Sequence, residues 1–122
     1  MAAPNLVNVT SILGKSMGAA LGTNTDTTIL TCASNKVLKI NSIIVANVDG
    51  TNSANLTLKF YDDSASTSYR IANTVAVPQD STLVVVGKDS PIYLEESDQI
   101  RGGANNSSDL EIVISYEELD DA

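Results

Sequence analysis

The apolar residues of this chain fall into short runs that alternate with polar residues, and polar turns separate the runs about every ten residues. The alternation is clearest between residues 56 and 61, where Leu56, Leu58 and Phe60 share one face while Thr57 and Lys59 share the other. Side chains on a strand point alternately to opposite faces, so a period of two predicts a half-buried strand. The pattern therefore indicates β-structure from the outset.

A longer strand is predicted before it, over Lys36 to Val48, with apolar residues on both faces. Ile43 and Val45 point one way, and Ile44 and Val48 point the other, which indicates a central strand buried on both sides. The polar residues 49–53 follow as a turn rich in residues that bond to their own backbone. We therefore predict an antiparallel hairpin between this strand and the strand over residues 56–61.

Similar runs predict further strands at residues 28–32, 69–77, 81–86, 91–94, 99–101 and 110–116. The continuous apolar run at 81–86 is expected to be buried on both faces, and the glycine pair at 102–103 is expected to interrupt its strand. No helical segment is long enough for crossover connections between parallel strands. The prediction is an all-β fold, a single antiparallel β-sandwich of jelly-roll or immunoglobulin-like type with about seven or eight short strands.

Two regions are predicted, an N-terminal arm or edge strand over residues 1–22 and a sandwich domain over residues 23–122. The first region carries apolar residues at 6, 7, 9, 12, 13, 17 and 21, but its glycines at 14, 18 and 22 disfavour a helix. We expect it to order against a partner, with folding back onto its own sandwich as the competing arrangement. The predicted core comprises Ile43, Val45, Leu56, Leu58, Phe60, Val75, Leu83, Val85, Ile112 and Ile114.

Charge narrows the possible partners. The 122-residue chain has a formal net charge of −8, and its seven Lys and Arg residues form no cluster along the sequence. Binding to nucleic acid requires a basic surface, and anionic membranes impose the same requirement, so we expect neither partner. The first residues lack the basic region and the uninterrupted apolar core of a signal peptide, so we expect none, and no apolar run is long enough to span a membrane. The single cysteine, Cys32, is predicted to be a small buried hydrophobe in a protein made in a reducing cytosol.

The chemistry of the chain indicates no enzyme. It has no histidine, which removes the commonest general base and the usual catalytic triads. The sequence Gly14-Lys15-Ser16 lacks the earlier glycine of a phosphate-binding loop, because position 9 is valine. Carboxylates cluster at 62–63, 95–98 and 117–121, where we predict solvated turns and a solvated tail, with Asp62 and Asp63 as the remaining candidate ion site. We assign no catalytic, cofactor-binding or metal-binding residue and expect no cofactor.

Three stretches carry a resemblance to a known group of proteins. They are SIIVANVDGTNSANLTLKFYD from Ser42 to Asp62, VPQDSTLVVVGKDSPIYLEESDQIR from Val77 to Arg101, and DLEIVISYEE from Asp109 to Glu118. In these stretches the chain resembles small β-sandwich virion proteins of tailed bacteriophages, especially those infecting marine cyanobacteria. The resemblance implies a non-enzymatic structural protein of the capsid (a decoration protein), the neck or the tail.

The same resemblance implies a location on the virion after synthesis in the host cytoplasm, and partners that are further copies of the chain or other virion proteins. The alternative is a virion module that binds host-surface carbohydrate. Sugar sites usually stack the ligand on exposed aromatic rings. With no tryptophan and with Phe60 assigned to the core, only Tyr61, Tyr69, Tyr93 and Tyr116 could serve.

Overall fold

The computed structural model describes residues 6–7 and 9–120. These residues form nine β-strands and no helix: β1 (Ile12–Ala20), β2 (Thr28–Thr31), β3 (Lys36–Asn47), β4 (Ala54–Asp62), β5 (Thr67–Val77), β6 (Thr82–Val86), β7 (Ile92–Leu94), β8 (Gln99–Ala104) and β9 (Leu110–Asp120). Every strand pair is antiparallel.

The strands form two sheets that enclose one core. The first sheet has the order β1-β9-β3-β6, with the short β7 also pairing with β3, and the second has the order β2-β8-β4-β5. The predicted all-β sandwich is confirmed, with nine strands. The first strand lies beside the last and the connections repeatedly cross from one sheet to the other, which is the jelly-roll arrangement and not the immunoglobulin order.

The predicted hairpin between β3 and β4 is wrong, because the two strands lie in different sheets. Residues 48–53 cross between the sheets, a gap of about 10 Å. The buried Asn47 anchors this crossing, since its Nδ2 donates to the carbonyl oxygens of Asn52 at 3.0 Å and Val77 at 2.9 Å, and its Oδ1 accepts from the Asp49 amide at 2.9 Å. A polar turn thus marks a change of sheet here.

The strand β3 is central, as predicted, but from Ile43 to Asn47 it is buried fully on one face only. Ile43 and Val45 are buried in the core, whereas Ile44 on the opposite face is half-buried and Val48 beyond the strand end is exposed. The prediction that residues 81–86 are buried on both faces is also wrong, since β6 is an edge strand and its Val84 is 62% exposed. No described strand forms a third layer over the first sheet, although Val37 and its register partner Leu119 are buried on the face opposite the core.

Most of the predicted core is confirmed. Buried side chains include Ile43, Val45, Leu56, Leu58, Ile112 and Ile114. Phe60, Leu83 and Val85 are only half-buried, although they pack against this core.

The prediction that Val75 belongs to the core is wrong, because Val75 is exposed. The register between β4 and β5 shifts just before it in the chain, near Thr74, whose φ of 53° is left-handed. This β-bulge interrupts the alternation of side chains along β5, and Ala72 and Val77 are the buried apolar residues of that strand.

Two predicted strand ends are wrong. Gly102 and Gly103 continue β8 to Ala104, and both are buried where the backbones of β4 and of residues 22–24 approach too closely for a side chain. The acidic tail was expected to be solvated, but its residues up to Asp120 belong to β9, and Leu119 is buried. Residues 121–122 lie outside the described residues.

The N-terminal region supplies an edge strand. β1 pairs with β9 along its whole length, from Ile12 opposite Leu119 to Ala20 opposite Glu111. Met17 and Ala19 pack against the core and Leu21 belongs to it, which buries part of the apolar surface of this region. The predicted segment 1–22 also includes residues 1–5 and 8, which lie outside the described residues.

Candidate binding surfaces

Three cationic residues that are far apart in the sequence lie side by side on the second sheet. In the strand register, Lys59 of β4 lies between Arg70 of β5 and Arg101 of β8. Leu58 and Phe60 point to the core, so Lys59 and its two neighbours occupy the outer face. We call these three residues the cationic row. The expectation that the cations form no cluster therefore holds along the sequence but is wrong for the folded chain.

The middle residue of the row is also buried. Lys59 is only 7% exposed, and its ammonium donates to Asp26 Oδ1 at 2.6 Å and to Thr25 Oγ1 at 3.4 Å. Both partners lie in the loop of residues 21–27 between β1 and β2. The hydrogen bond from Lys59 is the largest cause of a lowered pKa at Asp26, and the charges of Arg101 and Arg70 lower it further.

The two arginines of the row differ in how they are held. Arg101 lies over the ring of Tyr61 at 3.7 Å from the ring centre, and its Nε donates to Gln99 Oε1 at 2.7 Å. Gln99 is itself held by the Thr28 hydroxyl at 2.9 Å. Arg70 is exposed, and among the described residues it makes no ion pair or side-chain hydrogen bond. The row thus has one fixed guanidinium and one free guanidinium.

The charge balance of the cationic row differs from that of the first sheet. There, each of three lysines has its own carboxylate: Lys15 with Glu118 at 3.2 Å, Lys36 with Asp120, and Lys39 with Glu117 at 3.9 Å. On the second sheet, three cations share the single carboxylate of Asp26. Like charges directly opposite each other on a sheet are destabilising, so the row retains two unneutralised positive charges at a cost to stability.

The outer face of the first sheet carries a row of apolar residues. The register places Gly18 of β1, Val113 of β9, Ile44 of β3 and Val84 of β6 next to one another. Val84 is 62% exposed, Val113 is 41% exposed and Ile44 is half-buried. We call these four residues the apolar row. It runs across the sheet from one edge strand to the other.

The tyrosines proposed for carbohydrate stacking are not brought together. Tyr61 lies under Arg101, Tyr116 packs against the core, Tyr69 is exposed on β5 of the second sheet, and Tyr93 is exposed on β7 of the first sheet. Two exposed rings on different sheets do not form one stacking platform.

The predicted solvation of the carboxylate clusters is wrong for Asp98. Its side chain is buried and accepts hydrogen bonds from the backbone amides of Asp63 and Glu95, both at 3.0 Å, so it joins two loops. Asp62, one of the two candidate ion ligands, instead accepts from the amide and hydroxyl of Ser64 within its own turn. Across residues 6–7 and 9–120, no three His, Cys, Asp or Glu side chains are grouped so as to hold a metal ion.

Two further predictions concern individual positions. Cys32 is buried, as predicted, and burial is the main cause that raises the pKa of its thiol to about 11. Such a thiol is almost wholly protonated at neutral pH and is a poor nucleophile.

Residues 14–16, the Gly-Lys-Ser sequence, lie inside β1. In the described part of the chain, no helix is long and apolar enough to cross a membrane.

No protein-family model and no curated protein matches the chain. The fold and its two outer faces therefore supply what the molecule indicates about function. Neither row is visible in the sequence, because both arise from strand register, which the order of residues along the chain does not display.

Proposed function

We propose that the protein is a non-enzymatic structural component of a tailed-bacteriophage particle, a jelly-roll module that attaches to the capsid, the neck or the tail. Its partners are other virion proteins or further copies of itself, and it reaches the virion after synthesis in the host cytoplasm. The resemblance of residues 42–62, 77–101 and 109–118 to such virion proteins motivates this proposal.

The apolar row carries the proposal. Complete burial of a valine side chain is worth about 1.5–3 kcal/mol, so covering Val84 and Val113 would favour association with a neighbour. The net charge of −8 disfavours an anionic membrane as that neighbour and leaves a protein surface as the occupant. The row reaches both edge strands of the first sheet, and a neighbour bound there could also contact those edges.

The architecture supports the same function at the level of fold analogy. Jelly rolls recur in viral capsid proteins and in lectins, and a fold by itself does not decide between such functions. Buried polar side chains fix the loops at both ends of the sandwich, as a structural role requires. Asn47 joins the loop of residues 48–53 to the end of β5 at one end, and Asp98 joins two loops at the other.

The test is the composition of purified particles of the phage whose genome encodes the chain. We expect mass spectrometry to detect the protein at a fixed ratio to the major capsid protein, and immunogold labelling to place it at one structural position. Finding it only in the soluble fraction of infected cells would contradict the proposal. A glycan array probed with the purified protein addresses the carbohydrate alternative, for which we expect no binding.

A further inference from the structure

We propose that the cationic row is a binding site for an extended acidic segment of a partner protein, with Arg70 and Arg101 each taking one carboxylate. This inference concerns the second sheet and does not depend on the particle proposal, which rests on the first. Its starting point is the charge imbalance: three cations in direct register share one carboxylate, in a chain whose other paired lysines each have their own.

The row is built to present guanidinium groups. Lys59 is buried, and Asp26 and Thr25 accept two of the three hydrogen bonds that its ammonium can donate, so its main contribution to the row is its charge. Arg101 is oriented by the Tyr61 ring and by Gln99, while Arg70 is free to close onto a ligand. A guanidinium offers a planar fork of donors that binds a carboxylate through two parallel hydrogen bonds.

The spacing indicates the kind of ligand. Arg70 and Arg101 lie on strands separated by one intervening strand, so their backbones are about 10 Å apart. Along an extended peptide, side chains on the same face are two positions apart and about 7 Å from each other. The long Arg70 side chain can cover the remaining distance, so two acidic side chains two residues apart on an extended segment could reach both arginines at once.

A carbohydrate and a nucleic acid fit less well. Arg101 covers one face of Tyr61, the aromatic ring nearest the row, and thereby reduces what a sugar could stack on. Nucleic acid requires many neutralised phosphates over a long footprint, whereas this row supplies two free positive charges within a chain of net charge −8. A short acidic segment of a protein is the ligand whose size and charge match the row.

Fluorescence anisotropy of the full chain with a labelled hexaglutamate peptide tests the proposal. We expect saturable binding that weakens with salt and is absent for a hexaglutamine peptide. Arg70→Gln and Arg101→Gln should each weaken binding at least tenfold, the range expected for loss of a charge-assisted pair. Arg70→Lys, which keeps the charge but loses the fork, should weaken it by a smaller factor. The matched control is Lys88→Gln, which removes one positive charge from an exposed loop and should change affinity less than twofold.

Several results would overturn the proposal. One is an equal loss of peptide binding in the Lys88→Gln control, which would indicate unspecific attraction. Another is binding of polygalacturonate or of duplex DNA at the row without binding of the peptide, which would assign it to a polysaccharide or to nucleic acid. Self-association of the protein that Arg70→Gln abolishes would assign the row to a second copy instead. Presence or absence of the protein in particles does not bear on any of these outcomes.

Discussion

At Gly102 of β8, the neighbouring strand leaves no room for a side chain. A Cβ atom there would lie 2.6 Å from the carbonyl oxygen of Thr57 and 2.8 Å from a methyl group of Leu58, whereas its φ is not in the left-handed region. The position requires glycine for space and not for backbone conformation. Sequence alone suggested a break in the strand here, and the close approach of β4 explains why the strand continues instead.

We predict that Gly102→Ala lowers the free energy of unfolding by about 1–3 kcal/mol, because β4 must shift to admit the methyl group. The control is Gly14→Ala in β1, where a Cβ meets no atom within 4 Å, and we expect a change of about 0.5 kcal/mol or less. Urea unfolding followed by circular dichroism measures both. Equal stability of the two variants would show that the packing around Gly102 is wrong.

Asp120 links the end of β9 to the strand beside it and to the chain before β1. Its carboxylate accepts hydrogen bonds from Lys36 and from the hydroxyls of Thr10 and Ser11, the latter two at 2.8 and 3.0 Å. The bond from Lys36 is the largest cause that lowers the pKa of Asp120 to about 2. A carboxyl whose pKa is lower in the folded state stabilises the fold above its unfolded pKa, about 3.9.

The stabilising effect of Asp120 should therefore be complete above about pH 5 and should disappear between about pH 4 and pH 2. We predict that Asp120→Asn lowers the Tm at pH 6, and that this difference from the original protein shrinks as the pH falls through that window. Asp89→Asn, at an exposed loop position, is the control and should leave the Tm unchanged throughout. A difference for Asp120→Asn that does not vary with pH would contradict the role of its charge.

At the scale of the element, β1 has two roles: it contributes side chains to the core, and it forms one edge of the first sheet. Its inward residues Met17 and Ala19 pack against the core, while Ile12 and Leu13 remain exposed near its start. The strand also covers the backbone of β9 along nine residue pairs. Its removal would expose both apolar core and an unpaired strand edge, and such edges favour aggregation.

We predict that deleting residues 2–22 abolishes cooperative folding and does not leave an intact core. Among point variants, Met17→Ala should lower the free energy of unfolding by about 1–2 kcal/mol because it removes part of the core, a smaller loss than at a fully buried site. Ile12→Ala, at an exposed position of the same strand, should change it by about 0.5 kcal/mol or less. A truncated protein with the urea midpoint of the full chain would show that β1 is a dispensable arm.

At the scale of the whole molecule, the two outer faces of the sandwich differ in chemistry. The first sheet presents the apolar row, and the second presents the cationic row. The faces point away from each other, because the two sheets enclose the core between them. A single copy could therefore contact two different partners at once.

We predict that Val84→Lys prevents attachment to particles while the protein remains folded, because Val84 is exposed and a charge in its place opposes burial. The control is Val48→Lys, which alters a valine that is also exposed but lies outside the apolar row. Both variants should keep a Tm within a few degrees of the original. Co-sedimentation with particles lacking the protein measures attachment, and equal binding of Val84→Lys and the original protein would exclude this face as the contact.

Much of the element content was predictable from local pattern. The alternation over residues 56–61 placed Leu56 and Leu58 in the core correctly, because side-chain direction in a strand depends only on its period of two. The same rule gave a wrong prediction for Val75, because the bulge near Thr74 adds one residue and changes which side chains face inward. The candidate sites were not predictable, because Lys59, Arg70 and Arg101 meet only through strand register.

The sequence by itself determined the all-β class, the approximate strands and the acidic charge, because periodicity, β-branched composition and ionisable side chains are local properties. The tertiary structure alone decided which strands are neighbours, and so replaced the β3–β4 hairpin with a crossing between sheets anchored by Asn47. It likewise decided that Gly102 is enclosed and that three distant cations form one row. The physical reason is that strand pairing joins residues far apart in the chain, and the free energy of that pairing depends on packing across both sheets.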